Sequence, residues 1–216
     1  MLVVGDGLSS AVSSVLCLGA HSDDIEIGCG GTVLKLAAAN PQLTVNWVVL
    51  SAEGPRADEA RASAERFLAG AAKADVEILA FRERYFPHLV ELKEFFDDLR
   101  LRVRPDLVLT HHGGDAHQDH RAVADLTWNS FRDHLILEYE IPKYDGDLGR
   151  PNVFVGLDQE TARRKVRAIL DGFPSQADRY WFTDETFLAL LRLRGVEARA
   201  PGGYAEAFHA RKMILA

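Results

Sequence analysis

The feature that most constrains this chain is a short apolar run that ends in a cluster of polar side chains able to bind a metal. Val15–Gly19 is continuously apolar, and Ala20-His21-Ser22-Asp23-Asp24 follows it directly. A glycine-rich stretch, Gly28–Gly31, and a helical pattern from Thr32 come next. A buried strand, a polar turn and a helix are typical of the first strand of an open α/β sheet. Such sheets bind ligands at the carboxyl ends of their strands, so this turn is predicted to lie in a functional site.

The rest of the chain repeats the alternation of strand and helix. The predicted strands are Ser14–Ala20, Leu43–Leu50, Val76–Phe81, Asp106–Thr110, Leu135–Tyr139 and Asn152–Leu157. The predicted helices are Thr32–Ala39, Gly54–Ala72, Leu89–Val103, His120–Arg132, Asp158–Leu170 and Phe182–Arg194. Residues 1–13 are interpreted as an irregular lead-in, and Tyr204–Phe208 as a return to the core. This pattern favours a mostly parallel sheet flanked by helices. With 216 residues and no repeat or linker, a single Rossmann-like α/β domain over residues 1–216 is expected.

Composition excludes several classes of partner. The formal net charge of -7 gives no support to binding of nucleic acid or a membrane surface. No run of about 18 apolar residues is present, so no transmembrane helix is expected. Asp6 interrupts the apolar N-terminal segment, which argues against a signal peptide. Two cysteines, Cys17 and Cys29, are too few for a disulfide framework. We expect a cytoplasmic protein with a small-molecule partner, and the oligomeric state, a homo-oligomer included, stays open.

A second polar cluster follows the fourth predicted strand. It contains His117, Asp119 and His120. The first and fourth strands of a doubly wound sheet are commonly neighbours, so topology alone can bring the two clusters face to face. An isolated aspartate at a turn is usually a helix cap, and an isolated His-x-x-His is usually structural. Both clusters together, each after a buried strand, favour a site.

The residue types in these clusters indicate metal chemistry. Two imidazoles and one carboxylate are a familiar ligand set for catalytic zinc, with a fourth position left for water. Zinc lowers the pKa of that water towards about 7. Asp23 would serve as a general base, and His117 would protonate a leaving amine or stabilise an oxyanion. Asp119 would orient one of the imidazoles through a hydrogen bond.

Other polar and aromatic residues are interpreted more plainly. His111 and His112 are expected to be ordinary loop residues, with support of the metal ligands as the alternative for either. His209 could approach the site but is not assigned to it. Six aromatic residues are candidates for sugar stacking, although core or surface packing is the expected role of each: Trp47, Tyr85, Trp128, Tyr144, Trp181 and Tyr204.

The two motifs together resemble those of the LmbE-like, or PIG-L, family of zinc-dependent N-acetylglucosamine-type deacetylases. The motifs are His21-Ser22-Asp23-Asp24 and His117-Gln118-Asp119-His120. Softer similarity is found in three later segments: Tyr139-Glu140-Ile141-Pro142, Phe173-Pro174-Ser175-Gln176 and Tyr204-Ala205-Glu206-Ala207-Phe208. The resemblance implies the LmbE-like fold for most of the chain.

Carried over by position, the resemblance also implies a role for each site residue. His21, Asp24 and His120 become the zinc ligands. Asp23 becomes the base that activates the zinc-bound water, and His117 the group that stabilises the oxyanion or assists departure of the amine. Arg56 falls where a family arginine contacts substrate; the alternative is a solvated arginine at a helix start.

Two positions depart from the family pattern. Ser22 stands where the family usually has proline, which stiffens the turn but supplies no ligand, so a looser turn is expected. Asp115 stands where some members have a tyrosine near the oxyanion, so that contribution is missing or comes from elsewhere.

The function that follows is metal-dependent hydrolysis of the N-acetyl group of an amino-sugar-containing small molecule, a sugar or glycoside. The cofactor is expected to be Zn²⁺, although another divalent metal would suit the same ligands. Two alternatives remain: a non-catalytic sugar- or nucleotide-binding protein on the same scaffold, and a metal hydrolase of another amide or an ester. A dinucleotide-binding enzyme is disfavoured, because Gly28-Cys29-Gly30-Gly31 is not the Gly-x-Gly-x-x-Gly fingerprint.

Overall fold

The computed structural model describes residues 11–214, so the predicted lead-in falls almost wholly outside the described residues. Within them the chain forms one seven-stranded sheet. Its strands, numbered by their place in the chain, lie in the order β3 (Lys73–Ile78), β2 (Thr44–Ser51), β1 (Ser14–His21), β4 (Leu107–His111), β5 (Leu135–Tyr139), β7 (Tyr204–His209) and β6 (Val153–Leu157). The first five strands in that order pair in parallel, whereas β7 is antiparallel to both of its neighbours. The expected mostly parallel α/β architecture is confirmed.

Strands and helices alternate along the chain as far as β5; β6 follows β5 directly, and two helices then precede β7. The strands are β1 (Ser14–His21), β2 (Thr44–Ser51), β3 (Lys73–Ile78), β4 (Leu107–His111), β5 (Leu135–Tyr139), β6 (Val153–Leu157) and β7 (Tyr204–His209). The helices are α1 (Asp24–Ala39), α2 (Pro55–Leu68), α3 (Val90–Arg102), α4 (Gln118–Ser130), α5 (Gln159–Gly172) and α6 (Asp184–Ala198). In the part of the chain that the structure describes, no helix is long and apolar enough to cross a membrane.

The apolar run of β1 is covered on both faces, as a central parallel strand requires. Val15 and Cys17 belong to one hydrophobic core, which also contains side chains of α1, α2, α5 and α6. Leu16 and Leu18 belong to the other, beneath α3 and α4. Because both faces are apolar, β1 is held rigidly, and the polar residues that follow it start from a fixed point.

The main correction concerns the start of the first helix. It begins at Asp24, not at Thr32, because Gly28–Gly31 is part of the helix and not a turn. These glycines permit close packing: a Cβ at Gly28 would lie 2.1 Å from Cδ2 of Tyr139, and one at Gly30 would lie 2.5 Å from Cε1 of Phe67. The early helix start places Asp24 in the first helical turn.

Other boundaries also differ from the predictions. β3 ends at Ile78, and not at Phe81. The last helix, predicted to end at Arg194 with Gly195 as its C-cap, continues to Ala198. A Cβ at Gly195 would lie 2.3 Å from the carbonyl oxygen of Gly203, so a close backbone approach, and not a helix end, requires this glycine. The segment expected to return to the core does so as β7, between β5 and β6.

Candidate metal centre

The candidate centre lies where β1 and β4 end side by side at the carboxyl edge of the sheet. The two strands are parallel neighbours. His21 is the last residue of β1 and Asp24 the first of α1, while His120 lies in the first turn of α4, after β4. The two polar clusters of the sequence therefore meet.

Three of these side chains present their ligand atoms as a small triangle. Nδ1 of His21 lies 3.2 Å from Oδ2 of Asp24 and 3.2 Å from Nε2 of His120. Nε2 of His120 lies 3.5 Å from Oδ2 of Asp24. A tetrahedral ion with ligand bonds of about 2.0–2.1 Å holds its ligands about 3.3–3.4 Å apart. His117 and His111 have ligand atoms within 4.8 Å of members of this set. The distances within the triangle fit such an ion, and its donors suit zinc or a similar divalent ion.

The outward-facing nitrogens of the two imidazoles are each backed by a carboxylate. Nδ1 of His120 is 2.9 Å from Oδ2 of Asp115, and Nε2 of His21 is 3.4 Å from Oδ2 of Asp119. This arrangement is typical of histidines that bind metal, because the carboxylate fixes the tautomer and the orientation of the ring. Burial would lower the pKa of His21, but the charge of Asp24 and the hydrogen bonds to Asp119 and Asp24 outweigh it and raise the pKa to about 10.

Asp23 lies beside the triangle with its carboxylate uncommitted. The residue is the N-cap of α1, yet its side chain makes no capping hydrogen bond, and it is only 5% exposed. Burial and the charge of Asp24 raise the pKa of Asp23 to about 6, against the opposing charge of Arg56. A carboxyl group with a pKa near neutrality can accept and return a proton at physiological pH.

His117 caps α4 and is held in one tautomer. Its Nδ1 accepts a hydrogen bond from the backbone N–H of Asp119 at 3.2 Å, so the proton of the neutral ring is on Nε2. The ring lies edge-on to His21, with 4.9 Å between centroids. Burial and the neighbouring imidazoles lower the pKa of His117, which keeps the ring neutral.

Asp119 joins the centre to the loop that follows β3. Besides His21, its carboxylate accepts the backbone N–H of Arg84 at 2.5 Å and that of Phe86 at 3.2 Å. Arg84 has a left-handed backbone with a φ of 69°, a conformation that a residue other than glycine adopts only where its surroundings impose it. Asp119 therefore fixes both a candidate ligand and one wall of the site.

The interpretation of His111 as an ordinary loop residue is wrong. His111 is the last residue of β4 and is fully buried. Its Nε2 accepts the backbone N–H of Ala20 at 2.9 Å and lies 3.2 Å from Oδ2 of Asp24. Its ring stacks on that of His120, with 3.9 Å between centroids. The available signal was its position directly after a buried strand, at the same edge as His21.

His112 and His209 form a separate stacked pair beside the centre. Their ring centroids are 3.7 Å apart, and Nδ1 of His112 lies 2.8 Å from Oε2 of Glu138. Burial and the neighbouring imidazole of His112 lower the pKa of His209 to about 4. Neither side chain belongs to the ligand triangle.

Arg56 reaches the centre and is not a solvated arginine at a helix start. Its Nε and Nη2 donate to Oγ of Ser22 at 3.2 and 3.1 Å. Its Nη1 donates to Oε2 of Glu83 at 3.4 Å. The guanidinium is thus held beside the turn that carries Asp23. The looser turn expected from Ser22 was argued from the missing proline alone, whereas the side chain of Ser22 is tied to Arg56 by these hydrogen bonds.

The three tryptophans among the aromatic candidates for sugar stacking are occupied elsewhere, whereas Tyr85 and Tyr144 are exposed. Trp47 is wholly buried in the core, and Trp128 donates to Glu138 at 2.6 Å. Trp181 packs edge-on against Phe182, with 5.7 Å between centroids. Packing therefore accounts for all three tryptophans of the chain.

Solved structures share this fold. One is an N,N'-diacetylchitobiose deacetylase from Pyrococcus horikoshii, with 20% identity, 93% of this chain and 84% of that chain covered, and a TM-score of 0.74. Another is GalB, the 4-carboxy-2-hydroxymuconate hydratase of Pseudomonas putida KT2440, with 22% identity, 94% of this chain and 98% of that chain covered, and a TM-score of 0.74. A third is Dbv21, the A40926 pseudoaglycone deacetylase, with 19% identity, 94% of this chain and 99% of that chain covered, and a TM-score of 0.66.

At these identities the likenesses show the fold alone, and one of the three proteins is a hydratase. A comparison with curated proteins found no match. The family comparison is more specific. Residues 16–131, more than half of the chain, match the model described as PIG-L: GlcNAc-PI de-N-acetylase. This range contains both polar motifs and every residue of the ligand triangle, and the chain belongs to the PIG-L family.

Proposed function

We propose that this protein is a metal-dependent hydrolase that removes the N-acetyl group from an amino-sugar-containing small molecule. The observation that carries the proposal is the ligand triangle of His21, Asp24 and His120 with the uncommitted carboxylate of Asp23 beside it. A protein that only bound a sugar would have no need of a general base at that position. The deacetylase names of two structural neighbours and the family description support the substrate class.

The metal would be held by the three atoms of the triangle. When bound there, a divalent ion polarises the acetyl carbonyl and makes a water molecule more acidic. Zinc suits the two imidazoles and one carboxylate, and other divalent ions accept the same donors. Asp115 and Asp119 orient the rings of His120 and His21 from behind.

The protein's own residues would move the protons of the reaction. Asp23 takes a proton from the attacking water as its oxygen forms the bond to the acetyl carbon. Nε2–H of His117 donates a hydrogen bond to the tetrahedral oxyanion or to the departing nitrogen. The C–N bond then breaks as the nitrogen receives the proton that Asp23 took from the water, and acetate and a free amine are released. Arg56 contributes to binding of the substrate beside Asp23.

The test is amine release from a panel of N-acetylated amino sugars by the metal-reconstituted protein. Asp23→Asn is expected to retain about one metal per chain and to lose at least about a hundredfold in kcat, the scale of general-base contributions. Asp125→Asn is the matched control, because Asp125 is exposed on α4. Chelation should abolish release.

The outcomes separate the candidate functions. Release that requires both the metal and Asp23 supports the proposal. Full activity in Asp23→Asn would remove Asp23 from its role. No amine release, with metal bound and cleavage of other amides or esters, would favour a hydrolase of another substrate. Sugar binding without turnover of any substrate would favour a binding protein.

A further inference from the structure

Ser22 makes a contact that the proline usual in the family could not make. Its side chain is fully buried, and its hydroxyl oxygen accepts from both Nε and Nη2 of Arg56, at 3.2 and 3.1 Å. Proline has no side-chain oxygen to accept these hydrogen bonds. The departure from the family pattern therefore coincides with a specific interaction beside Asp23.

Arg56 is held from a second side by the loop after β3. Oε2 of Glu83 accepts from Nη1 of Arg56 at 3.4 Å. The two acceptors lie on different segments, Ser22 after β1 and Glu83 after β3, while Arg56 itself lies in the first turn of α2. Gly54, with a φ of 53°, permits the sharp entry into that helix. Three chain segments thus converge on one guanidinium.

The hydrogen bonds leave part of Arg56 for a ligand. A guanidinium carries five N–H groups; Ser22 accepts from two nitrogens and Glu83 from the third. Among the described residues no other acceptor contacts them, so one N–H remains on each Nη. The side chain is 33% exposed, so Arg56 is not sealed off from the solvent.

We propose that Ser22 is a positioning residue for substrate, which holds Arg56 so that its two remaining N–H groups meet oxygen atoms of the bound sugar. The inference rests on the proposed function for the identity of the substrate. An unrestrained arginine loses much rotamer freedom when it binds, and Ser22 removes that cost before substrate arrives. The contribution is to binding of the substrate, and so it belongs in KM.

The experiment compares Ser22→Ala with Ser63→Ala on the metal-reconstituted protein. Ser63 is also fully buried and lies on the helix that carries Arg56, but it does not contact the guanidinium of Arg56. We expect Ser22→Ala to raise KM about threefold to tenfold with kcat within about twofold, and Ser63→Ala to change neither. In an Arg56→Ala background, Ser22→Ala should add nothing to KM, because the two side chains act as a unit.

A second readout does not depend on activity. The Nε–H of Arg56 can be followed by 15N NMR and assigned from its loss in Arg56→Lys. Its exchange with solvent should be slow in the unmodified protein and in Ser63→Ala, and at least about tenfold faster in Ser22→Ala. If Ser22→Ala does not fold, Glu83→Ala replaces it, with a smaller rise in KM expected, since the side chain of Glu83 is 41% exposed.

The outcomes distinguish this inference from the proposed function. Unchanged exchange of the Arg56 Nε–H in Ser22→Ala would overturn the positioning role whether or not the protein is active. A fall in kcat with KM unchanged would overturn it as well. Accelerated exchange in a protein that releases no amine from any N-acetylated sugar would support the hold on Arg56 and reject the deacetylase.

Discussion

At the scale of a single residue, Asp115 orients the candidate metal ligand His120. Its Oδ2 lies 2.9 Å from Nδ1 of His120 and 3.0 Å from Nζ of Lys143. Asp115→Asn keeps the shape but removes the charge that fixes the imidazole. We expect metal affinity to fall about tenfold or more, as is usual when such an outer carboxylate is lost. Competition with a chelator measures this without any substrate.

The control for this change is Asp125→Asn, which is expected to leave metal affinity unchanged. Equal affinities in Asp115→Asn and the unmodified protein would show that His120 is oriented without Asp115. A matched loss in both variants would point to a general effect of negative charge near the centre and not to the hydrogen bond.

Single residues also mark the limit of what the sequence could predict. His21, Asp24 and His120 were identifiable, because each follows a buried strand and has a ligand-type side chain. His111 has the same position but was missed, since burial at a strand end depends on what packs above it. The contact from Ser22 to Arg56 spans 34 positions and has no local signal.

At the scale of an element, α1 shows how glycines can specify packing. The ring of Tyr139 packs against α1 at Gly28, and its hydroxyl donates a hydrogen bond to the carbonyl oxygen of Leu18 at 2.6 Å. The hydrogen bond restrains the ring in this position. Gly28→Ala would place a Cβ 2.1 Å from it. We expect a loss of about 3 kcal/mol or more in the free energy of unfolding, the upper range for overpacking.

Chemical unfolding of Gly28→Ala against Gly70→Ala is the measurement. A Cβ at Gly70 would lie no closer than 3.4 Å to Ala37, so Gly70→Ala should stay within about 0.5 kcal/mol of the unmodified protein. Similar stabilities of the two variants would mean that Tyr139 moves aside. The glycines of Gly28–Gly31 also explain why the start of α1 was predicted at Thr32 and not at Asp24. In the sequence they resemble a turn, and only the packing of the Tyr139 ring shows that they form a contact surface.

At the scale of the whole molecule, the parallel part of the sheet was predictable and the antiparallel part was not. Apolar runs alternating with helical patterns indicate parallel strands, and both faces of β1 are indeed covered. The insertion of β7 between β5 and β6 depends on pairing between segments distant in sequence. Tyr204–Phe208 was recognisable as a return to the core, but its partners were not.

Glu138 of β5 ties together the segment after β4, the helix α4 and the segment after β7, and this predicts how stability changes in acid. Burial would raise the pKa of the Glu138 carboxyl, but hydrogen bonds from His112, Gly113 and Trp128 and the charge of Arg211 outweigh it and lower the pKa to about 2. The lowered pKa means that the charged form stabilises the fold above pH 4.5. That stabilisation disappears as pH falls from about 4.5 to about 2.

Glu138→Gln should therefore cost about 3 kcal/mol at pH 7, from a shift of about two and a half pKa units. Chemical unfolding of the variant and of the unmodified protein should show this difference at pH 7 and a progressively smaller one from about pH 4.5 downwards. Glu94→Gln, at an exposed position on α3, is the control and should stay within about 0.5 kcal/mol at every pH. A difference for Glu138→Gln that is constant from pH 7 to pH 2 would contradict the argument, because it would mean that the stabilisation does not depend on the charge of the Glu138 carboxylate.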